Sequence, residues 1–528
     1  MQRRTFLAAS AATLAAPMLA RAQSKQVLKF IPQADLAVLD PVWTTAYVTR
    51  NHGYLVFDTL YGQTGSEGGY KATPQMVAGH SVEADGRIWR LTLREGLLFH
   101  DGHPVLARDC VASIRRWGAR DALGQALMRR TDELSAPDDR TVLFRLSKPF
   151  PLLPEALGKA ASNMCAVMPE RLAKTDPYKQ VTEMVGSGPY RFRADERVQG
   201  SRFVYERFQG YKPREGGRSD WTAGPKVAHF DRVEWQVIPD PSTAAAALQT
   251  GEVDWWEVPT ADLLPLLRRG DQVKVALTDP TGNCGLLRPN HLFPPFDNPA
   301  VRRALLGAID QTAFVTAAMG TDPSLWHVPC GFFPPSSPMA SDAGMAALTG
   351  RRDYDKVRRD LRVAGYKGET VALMVPQDFP WIKAVSDVAA DMMKRVGMNV
   401  DYQALDWGTV VQRRASKKPP AQGGWNALCT GFAGLDFSTP ATHLPLRGND
   451  GQAWFGWPTS PKIEELRDAW LDTPDPAAQK QLAAQIQAQA FEDVPYYPIT
   501  LLYFPTAHRA DLADVPNGIP AFWSVRRT

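Results

Sequence analysis

The chain has 528 residues, 44% of them hydrophobic and 22% charged, a globular composition that excludes a disordered or fibrous protein. Its length suggests about three domains. The formal net charge is only +4, and three arginines (Arg3, Arg4, Arg21) fall within the first 22 residues, so the surface has no electrostatic basis for holding nucleic acid or an anionic membrane.

Residues 1–22 read as an export signal. Arg3 and Arg4 precede an uncharged, Ala-rich run from Thr5 to Ala20, and Ala20-Arg21-Ala22 supplies a small-x-small cleavage pattern. The run is shorter than the ~20 apolar residues that span a bilayer. The order Arg3-Arg4-Thr5-Phe6-Leu7 resembles a twin-arginine signal, and no cysteine follows to take a lipid. We therefore expect cleavage after Ala22 and a periplasmic protein without a lipid anchor.

Beyond the leader, Val27, Leu28 and Phe30 predict a strand that ends near Pro32, and a helix is predicted from Val48 to Tyr61. Two strands flank Asp85-Gly86; in the second, Trp89, Leu91 and Leu93 alternate with polar residues, which leaves one wet face. A helix over 107–117 and a strand within 138–146 follow. VGSGPYRF and FVYERFQGY read as a loop and hairpin, FDRVEWQVIPD and EVDWWEVP as strands. Asp240-Pro241, Asn298-Pro299 and Ser460-Pro461 each open a helix with a capping side chain and a proline. The second of these is expected to run on through Val301, Leu305 and Ile309. Helices at 353–365, 381–397 and 477–492 and strands at 370–375 and 398–405 complete an α/β pattern without internal repeats.

Five widely spaced cysteines (Cys110, Cys165, Cys284, Cys330, Cys429) include no CxxC, which removes metal-finger and thioredoxin-type readings. An odd count leaves at least one free thiol, and Cys284 with Cys429 is one pairing open to the chain. No GxSxG, HExxH, GxGxxG or GK[ST] phosphate loop is present. The His100–His103 pair flanks a turn, and the paired acids Asp132-Glu133, Asp138-Asp139 and Glu464-Glu465 read as solvated surface. The residues therefore predict neither an enzyme nor a bound metal or cofactor.

The stretch PQMVAGHSVEADGRIWRLTLREGLLFHDGHPVLARDCVASIRRW resembles the hallmark region of the extracellular solute-binding proteins of family 5, the dipeptide- and oligopeptide-binding components of ABC importers. LDPVWTTAYVTRNHGYLVFDTLYG, VGSGPYRF, ALQTGEVDWW, FDNPAVRRALLGAID and IQAQAFEDVPYYPI agree with that family in order along the chain. The resemblance implies an α/β fold of two lobes joined by two crossing strands. Lobe I would comprise 23–70, 186–279 and 500–528, with an extra subdomain at 71–185, and lobe II would comprise 280–499. It implies a monomer that closes on a small solute, most readily a short peptide, and hands it to membrane permease subunits. A non-peptide solute (opine, sugar or nickel complex) and a periplasmic hydrolase remain the alternatives.

The resemblance also implies site residues. DWGTVVQRRA is similar to a family segment whose tryptophan and arginine face the cleft, here Trp407 and Arg414; the one supplies an apolar wall and the other a bidentate clamp for a carboxylate. WNALCTGFAGLDFSTPATHL resembles the family's specificity segment. The aspartate that pairs with a peptide's amino terminus is replaced there by Gly434, and Asp436 stands two residues on. Trp425, Thr430, Gly431 and Phe432, and from the first lobe Trp43, Thr44, Thr45 and Tyr47, complete the expected cleft.

Overall fold

The computed structural model describes residues 26–277 and 279–528, so the predicted leader lies outside the described residues. Strand Val27–Ile31 lies inside a seven-stranded sheet, parallel to Arg232–Gln236 on one side and Trp255–Trp256 on the other. From one edge the order is Val273–Leu277, Pro505–Arg509, Trp255–Trp256, Val27–Ile31, Arg232–Gln236, Arg202–Arg207, Tyr190–Phe192. Alternation sends Leu28 and Phe30 inward, where the Phe30 ring meets Trp235, Trp255 and Phe522 at centroid distances of 5.5, 5.0 and 4.9 Å.

A four-stranded antiparallel sheet follows in the order Val77–Glu83, Ile88–Leu93, Thr141–Leu146, Thr131–Ser135. Its first turn holds Ala84, Asp85 and Gly86 at φ of 51°, 54° and 88°. Trp89, Leu91 and Leu93 are buried and Arg90 and Thr92 look outward, as the alternation requires.

The third sheet has five strands, Asn399–Leu405, Thr370–Pro376, Ala427–Ala433, Asn283–Pro289 and Tyr497–Leu502 in spatial order. Thr370–Pro376 is parallel to both neighbours and reads as a continuous apolar run, which suits a strand covered on both faces. The chain leaves the first sheet for this one between Val273–Leu277 and Asn283–Pro289. It returns between Tyr497–Leu502 and Pro505–Arg509. The two crossings are hydrogen-bonded neighbours, with Asn283 opposite Leu502, and they join the two lobes of the molecule.

The capping predictions hold at atomic level: Asp240 accepts from the Thr243 N–H at 2.7 Å, Asn298 from Ala300 at 2.9 Å and Ser460 from Ile463 at 3.2 Å. Three boundaries differ from expectation. The helix expected to reach Tyr61 is Tyr47–Val56, because the Val56 carbonyl accepts from the Gly188 N–H at 2.8 Å and Phe57 turns extended. The run after Asn298 divides into Pro299–Leu306 and Gln311–Met319, because the Asp310 side chain caps the second helix by accepting from Thr312 at 3.1 Å. The strand within EVDWWEVP contracts to Trp255–Trp256. Among the paired acids read as surface, Glu464 is instead mostly buried and holds Arg447 at 2.8 Å.

All five cysteines are buried and free. Cys284 and Cys429 occupy neighbouring antiparallel strands, but Cys284 stands opposite Phe432 while Cys429 stands opposite Leu287. An odd offset along a strand puts the two thiols on opposite faces of the sheet, which forbids that pairing. Among the described residues no helix is long and apolar enough to cross a membrane.

Candidate ligand cleft between the lobes

The first-lobe wall starts with a loop tied down by one carboxylate. Asp40 accepts from the Val42 and Trp43 N–H groups at 3.0 and 3.2 Å and from Val181 N–H at 2.8 Å, while Arg116 pairs with it at 2.6 Å. The loop presents Thr44 and Thr45 and leads into Tyr47–Val56, whose first turn carries Tyr47 and Arg50 on one face at i and i+3. From the second lobe, Asp406 caps helix Trp407–Arg413 by accepting from Thr409 at 2.8 Å, and Arg414 follows as its C-cap. Strand Ala427–Ala433 ends in the tight turn Gly434–Phe437, which carries Asp436.

The lobes are closed on each other. The Tyr47 hydroxyl donates to Asp436 Oδ2 and accepts from the Ala433 N–H. Arg414 Nη2 donates to Thr44 Oγ1 at 2.9 Å and Thr45 Oγ1 at 3.3 Å, and Trp454 Nε1 donates to Thr45 Oγ1 at 3.2 Å. At the rim, Arg447 donates to Gln125 at 2.9 Å, and Arg129 and Arg130 pair with Asp468 and Asp472 at 2.8 and 2.6 Å.

Two of the cavities between them adjoin each other and are lined by these residues. The larger, with a free volume of about 80 Å³, is lined by Tyr47, Arg50, Glu257, Asp279, Asn283 and Asp436, with Trp221 and Trp255 as apolar walls. The smaller, about 20 Å³, is lined by Thr45, Tyr47, Trp407, Arg414, Thr430, Gly431 and Phe432. Gln33, Tyr47 and Asn283 border both, so the cavities form one continuous site.

Its electrostatics are divided. Arg414 is 1% exposed and faces the rings of Phe455, Trp454 and Trp407 at 5.1, 5.6 and 5.9 Å. Its Nε has no partner, and burial together with Arg120 pushes its pKa down to about 9. In the larger cavity burial dominates the carboxyls: Asp436 rises to about 6 against the pull of Lys159, Tyr47 and Arg50, and Glu257 rises to about 7. Glu257 rises even though it accepts from Gln33 N–H at 2.7 Å and Asn51 Nδ2 at 2.8 Å. Asp279 is also raised by burial, partly offset by bonds from the Thr281 N–H and hydroxyl at 2.8 and 2.7 Å. The site thus presents Arg414 at one end and, at the other, three carboxyl groups with Arg50 among them, between aromatic walls. Such an arrangement can orient a small solute that carries both charges.

Most of the residues expected from the sequence meet here. Tyr47 and Asp436 line the larger cavity; Trp407, Arg414, Thr430, Gly431, Phe432, Thr45 and again Tyr47 line the smaller, and Thr44 is reached by Arg414. Thr44 itself, Trp43 and Trp425 lie outside both cavities. Trp43 turns its Nε1–H to the Tyr178 carbonyl at 3.0 Å, and Trp425, fully buried, backs the site by donating to the Arg414 carbonyl at 3.1 Å. Asp436 does not cap the following turn, where Ser438 N–H donates to the Leu435 carbonyl; its partner is Tyr47. Gly434 has a steric cause, since a Cβ there would stand 2.0 Å from the Thr281 carbonyl oxygen.

Sequence reasoning missed Arg50, Glu257, Asp279 and Asn283. Glu257 directly follows Trp255–Trp256, and Asp279 and Asn283 lie on the first crossing, so the strand-end argument applied to 430–432 reaches them too. His100 and His103 do not form a metal pair: His100 is buried against the Gly188 carbonyl at 3.0 Å, and His103 sits exposed beside Asp101 at 3.2 Å. Among the described residues no group of three His, Cys, Asp or Glu side chains is placed to hold a metal ion.

The profile of the bacterial extracellular solute-binding proteins, family 5 Middle, matches residues 71–443. A protein of Sinorhizobium fredii named "Probable peptide ABC transporter periplasmic-binding protein y4tO" is 34% identical over 98% of this chain and 97% of its own length. The glutathione-binding protein GsiB of Pectobacterium atrosepticum is 27% identical over 79% of this chain and 78% of its own. Among solved structures, AgaA of A. tumefaciens in complex with agropinic acid has a TM-score of 0.78 at 20% identity, covering 95% of this chain and 99% of that one. The dipeptide-binding protein of Pseudoalteromonas sp. SM9913 in complex with Met-Leu has a TM-score of 0.76 at 20% identity, covering 95% and 100%.

Proposed function

We propose, for a chain that belongs to the bacterial extracellular solute-binding proteins of family 5, that it captures a zwitterionic, peptide-like solute and delivers it to an ABC importer in the inner membrane. One observation carries the solute class: Arg414 is buried at the lobe interface with only neutral hydroxyl partners for its guanidinium. A desolvated cation without a counter-charge is costly, and a solute carboxylate entering beside Thr44 and Thr45 removes that cost. Asp436, with Asp279 and Glu257 nearby, receives the solute's ammonium group. The peptide-transport name of the Sinorhizobium fredii relative supports a peptide over the other solutes.

In this reading the protein makes and breaks no bonds; it works as a monomer in the periplasm after its leader is removed at Ala22. The lobes divide at the two crossings, with 23–70, 71–185, 186–279 and 500–528 on one side and 280–499 on the other. Solute binding energy shifts the open–closed equilibrium toward the closed form that a permease accepts. The experiment is native mass spectrometry of solute retained through non-denaturing purification, followed by calorimetric titration with short peptides. A retained zwitterion that rebinds supports the reading; a neutral sugar, or substrate turnover without solute-dependent stabilisation, overturns it.

A further inference from the structure

Beside the ligand site lies a larger chamber. A cavity of about 530 Å³ shares Gln33, Val258 and Phe504 with the larger cavity of the site and Gln33, Phe379 and Trp381 with the smaller. Lobe I supplies one wall from the segment that follows Trp255–Trp256. Lobe II supplies the other from the end of helix Gln311–Met319 and the start of helix Pro380–Arg395. The chamber is apolar within: Leu264, Met319, Leu325, Phe379 and Trp381 are buried, whereas its charged residues Asp262, Arg268 and Asp322 are all exposed. An aromatic row leads into it. Trp407, whose ring lies 5.9 Å from the Arg414 guanidinium, meets Phe379 at 5.0 Å; Phe379 meets Trp381 at 6.0 Å, and Trp381 meets Phe504 at 5.4 Å. Gly431 makes room for this row, because a Cβ there would stand 2.6 Å from the Trp381 ring. The apolar wall beside the arginine therefore continues from ring to ring into the chamber. Thr260 Oγ1, on the chamber lining, is buried with no hydrogen-bond partner among the described residues, which leaves one polar atom for a solute amide to satisfy.

We propose, resting on the zwitterion reading of the site, that the solute carries a bulky apolar side chain and that this chamber receives it. Size separates the two parts. A water needs about 10–15 Å³ of free volume, so cavities of about 80 and 20 Å³ hold a few waters or the charged main-chain core of a small peptide. A leucine or phenylalanine side chain exceeds that space, and the chamber of about 530 Å³ has the size and lining of a small-molecule pocket. The charged groups of the solute are then held between Arg414 and the carboxyls, while its side chain follows the Phe379–Trp381–Phe504 row outward. Because the two walls of the chamber belong to different lobes, an apolar group held there also favours the closed form.

The test is calorimetric titration of the full mature protein with four zwitterions of equal charge: Gly-Gly, Gly-Leu, Leu-Gly and Leu-Leu. Leu-Leu should bind about ten- to a hundredfold more tightly than Gly-Gly, the gain expected for burying a leucine side chain. One of the two mixed peptides should carry most of that gain and so report which side chain enters. Ala317→Phe and Ala384→Phe place a ring in the chamber from its two lobe II helices, at an exposed and a half-buried position. In whichever of them keeps the wild-type melting transition, the advantage of Leu-Leu over Gly-Gly should shrink to about threefold or less. Equal affinity of the wild type for Gly-Gly and Leu-Leu would overturn the chamber's role and leave the zwitterion reading standing. So would an advantage that survives in a folded ring variant. Absence of binding by all four peptides would instead remove the zwitterion reading, and the chamber's role with it.

Discussion

Arg414 Nη2 donates across the cleft to Thr44 Oγ1 at 2.9 Å, so the buried guanidinium that lines the smaller cavity spans both lobes through a neutral partner. A hydroxyl dipole compensates a desolvated cation far less than a carboxylate does. Removing this charge should therefore have opposite effects on folding and binding. Arg414→Met should leave the unliganded protein as stable as wild type or more so, and should weaken solute binding by about 2–5 kcal/mol. Urea unfolding and calorimetric titration with the solute recovered by native mass spectrometry measure the two quantities. Wild-type affinity in the variant would remove Arg414 from the site.

Tyr47 should act as a latch. Its hydroxyl links Asp436 and the Ala433 N–H of lobe II to a helix of lobe I. Tyr47→Phe keeps the ring and deletes both bonds, leaving a buried carboxyl and a buried N–H without that partner. We expect the closed form to lose about 1–3 kcal/mol relative to the open form. Small-angle scattering of the unliganded variant should show a larger radius of gyration, and affinity should fall by the same free energy because closure is coupled to binding.

The raised carboxyls make folding stability and solute binding depend on pH with opposite signs. Asp436 and Glu257 are lifted to about 6 and about 7 in the fold, so between their unfolded values and these pKa values the folded state binds more protons. Their contribution to stability therefore falls as pH rises from about 4 to 7, on the order of 3 kcal/mol each. Buried neutral histidines such as His52 and His443, both pushed down to about 3, act in the reverse direction, since the unfolded chain protonates them below its ordinary histidine range. Comparison with Glu257→Gln and Asp436→Asn isolates the carboxyl part in urea titrations at pH 5 and 8. A solute ammonium group favours the ionised carboxyls, so solute affinity should rise between pH 5 and 8 with protons released on binding. Titration in buffers of different ionisation enthalpy reads that release directly.

Gly434 tests whether the usual peptide anchor can be restored by substitution. Placing an aspartate there should fail, because its Cβ would stand 2.0 Å from the Thr281 carbonyl oxygen on the crossing. Gly434→Asp should destabilise the protein by about 1–3 kcal/mol without tightening peptide binding. A stable variant with higher peptide affinity would mean that the crossing yields more readily than this packing indicates.

The Asp40–Arg116 pair should be the most sensitive electrostatic contact behind the site, being 0% and 1% exposed on its side chains. Asp40→Asn should cost about 3–5 kcal/mol in urea unfolding, because it strands the Arg116 charge and loosens three backbone N–H groups. Since that loop carries Thr44 and Thr45, solute affinity should fall with it.

Local chemistry wrote much of this architecture into the chain. Alternation placed Trp89, Leu91 and Leu93 on a buried face, and a capping side chain before proline marked the starts at Asp240, Asn298 and Ser460, because those signals act over a few residues. Segments in order along the chain sufficed for the family resemblance, and with it for the two-lobed fold. The cleft was legible only where one segment supplies it, as with Trp407 and Arg414 or Thr430 to Phe432. Whether Glu257, Asp279 and Arg50 share a cavity with Asp436 is decided by the crossings, which bring together residues up to 386 positions apart; none of these side chains has a local signature for that role. The cysteines show the same division. Sequence counts five and leaves the pairing open, while strand register turns Cys429 away from Cys284, since which face a side chain occupies is a property of the sheet and not of the residue.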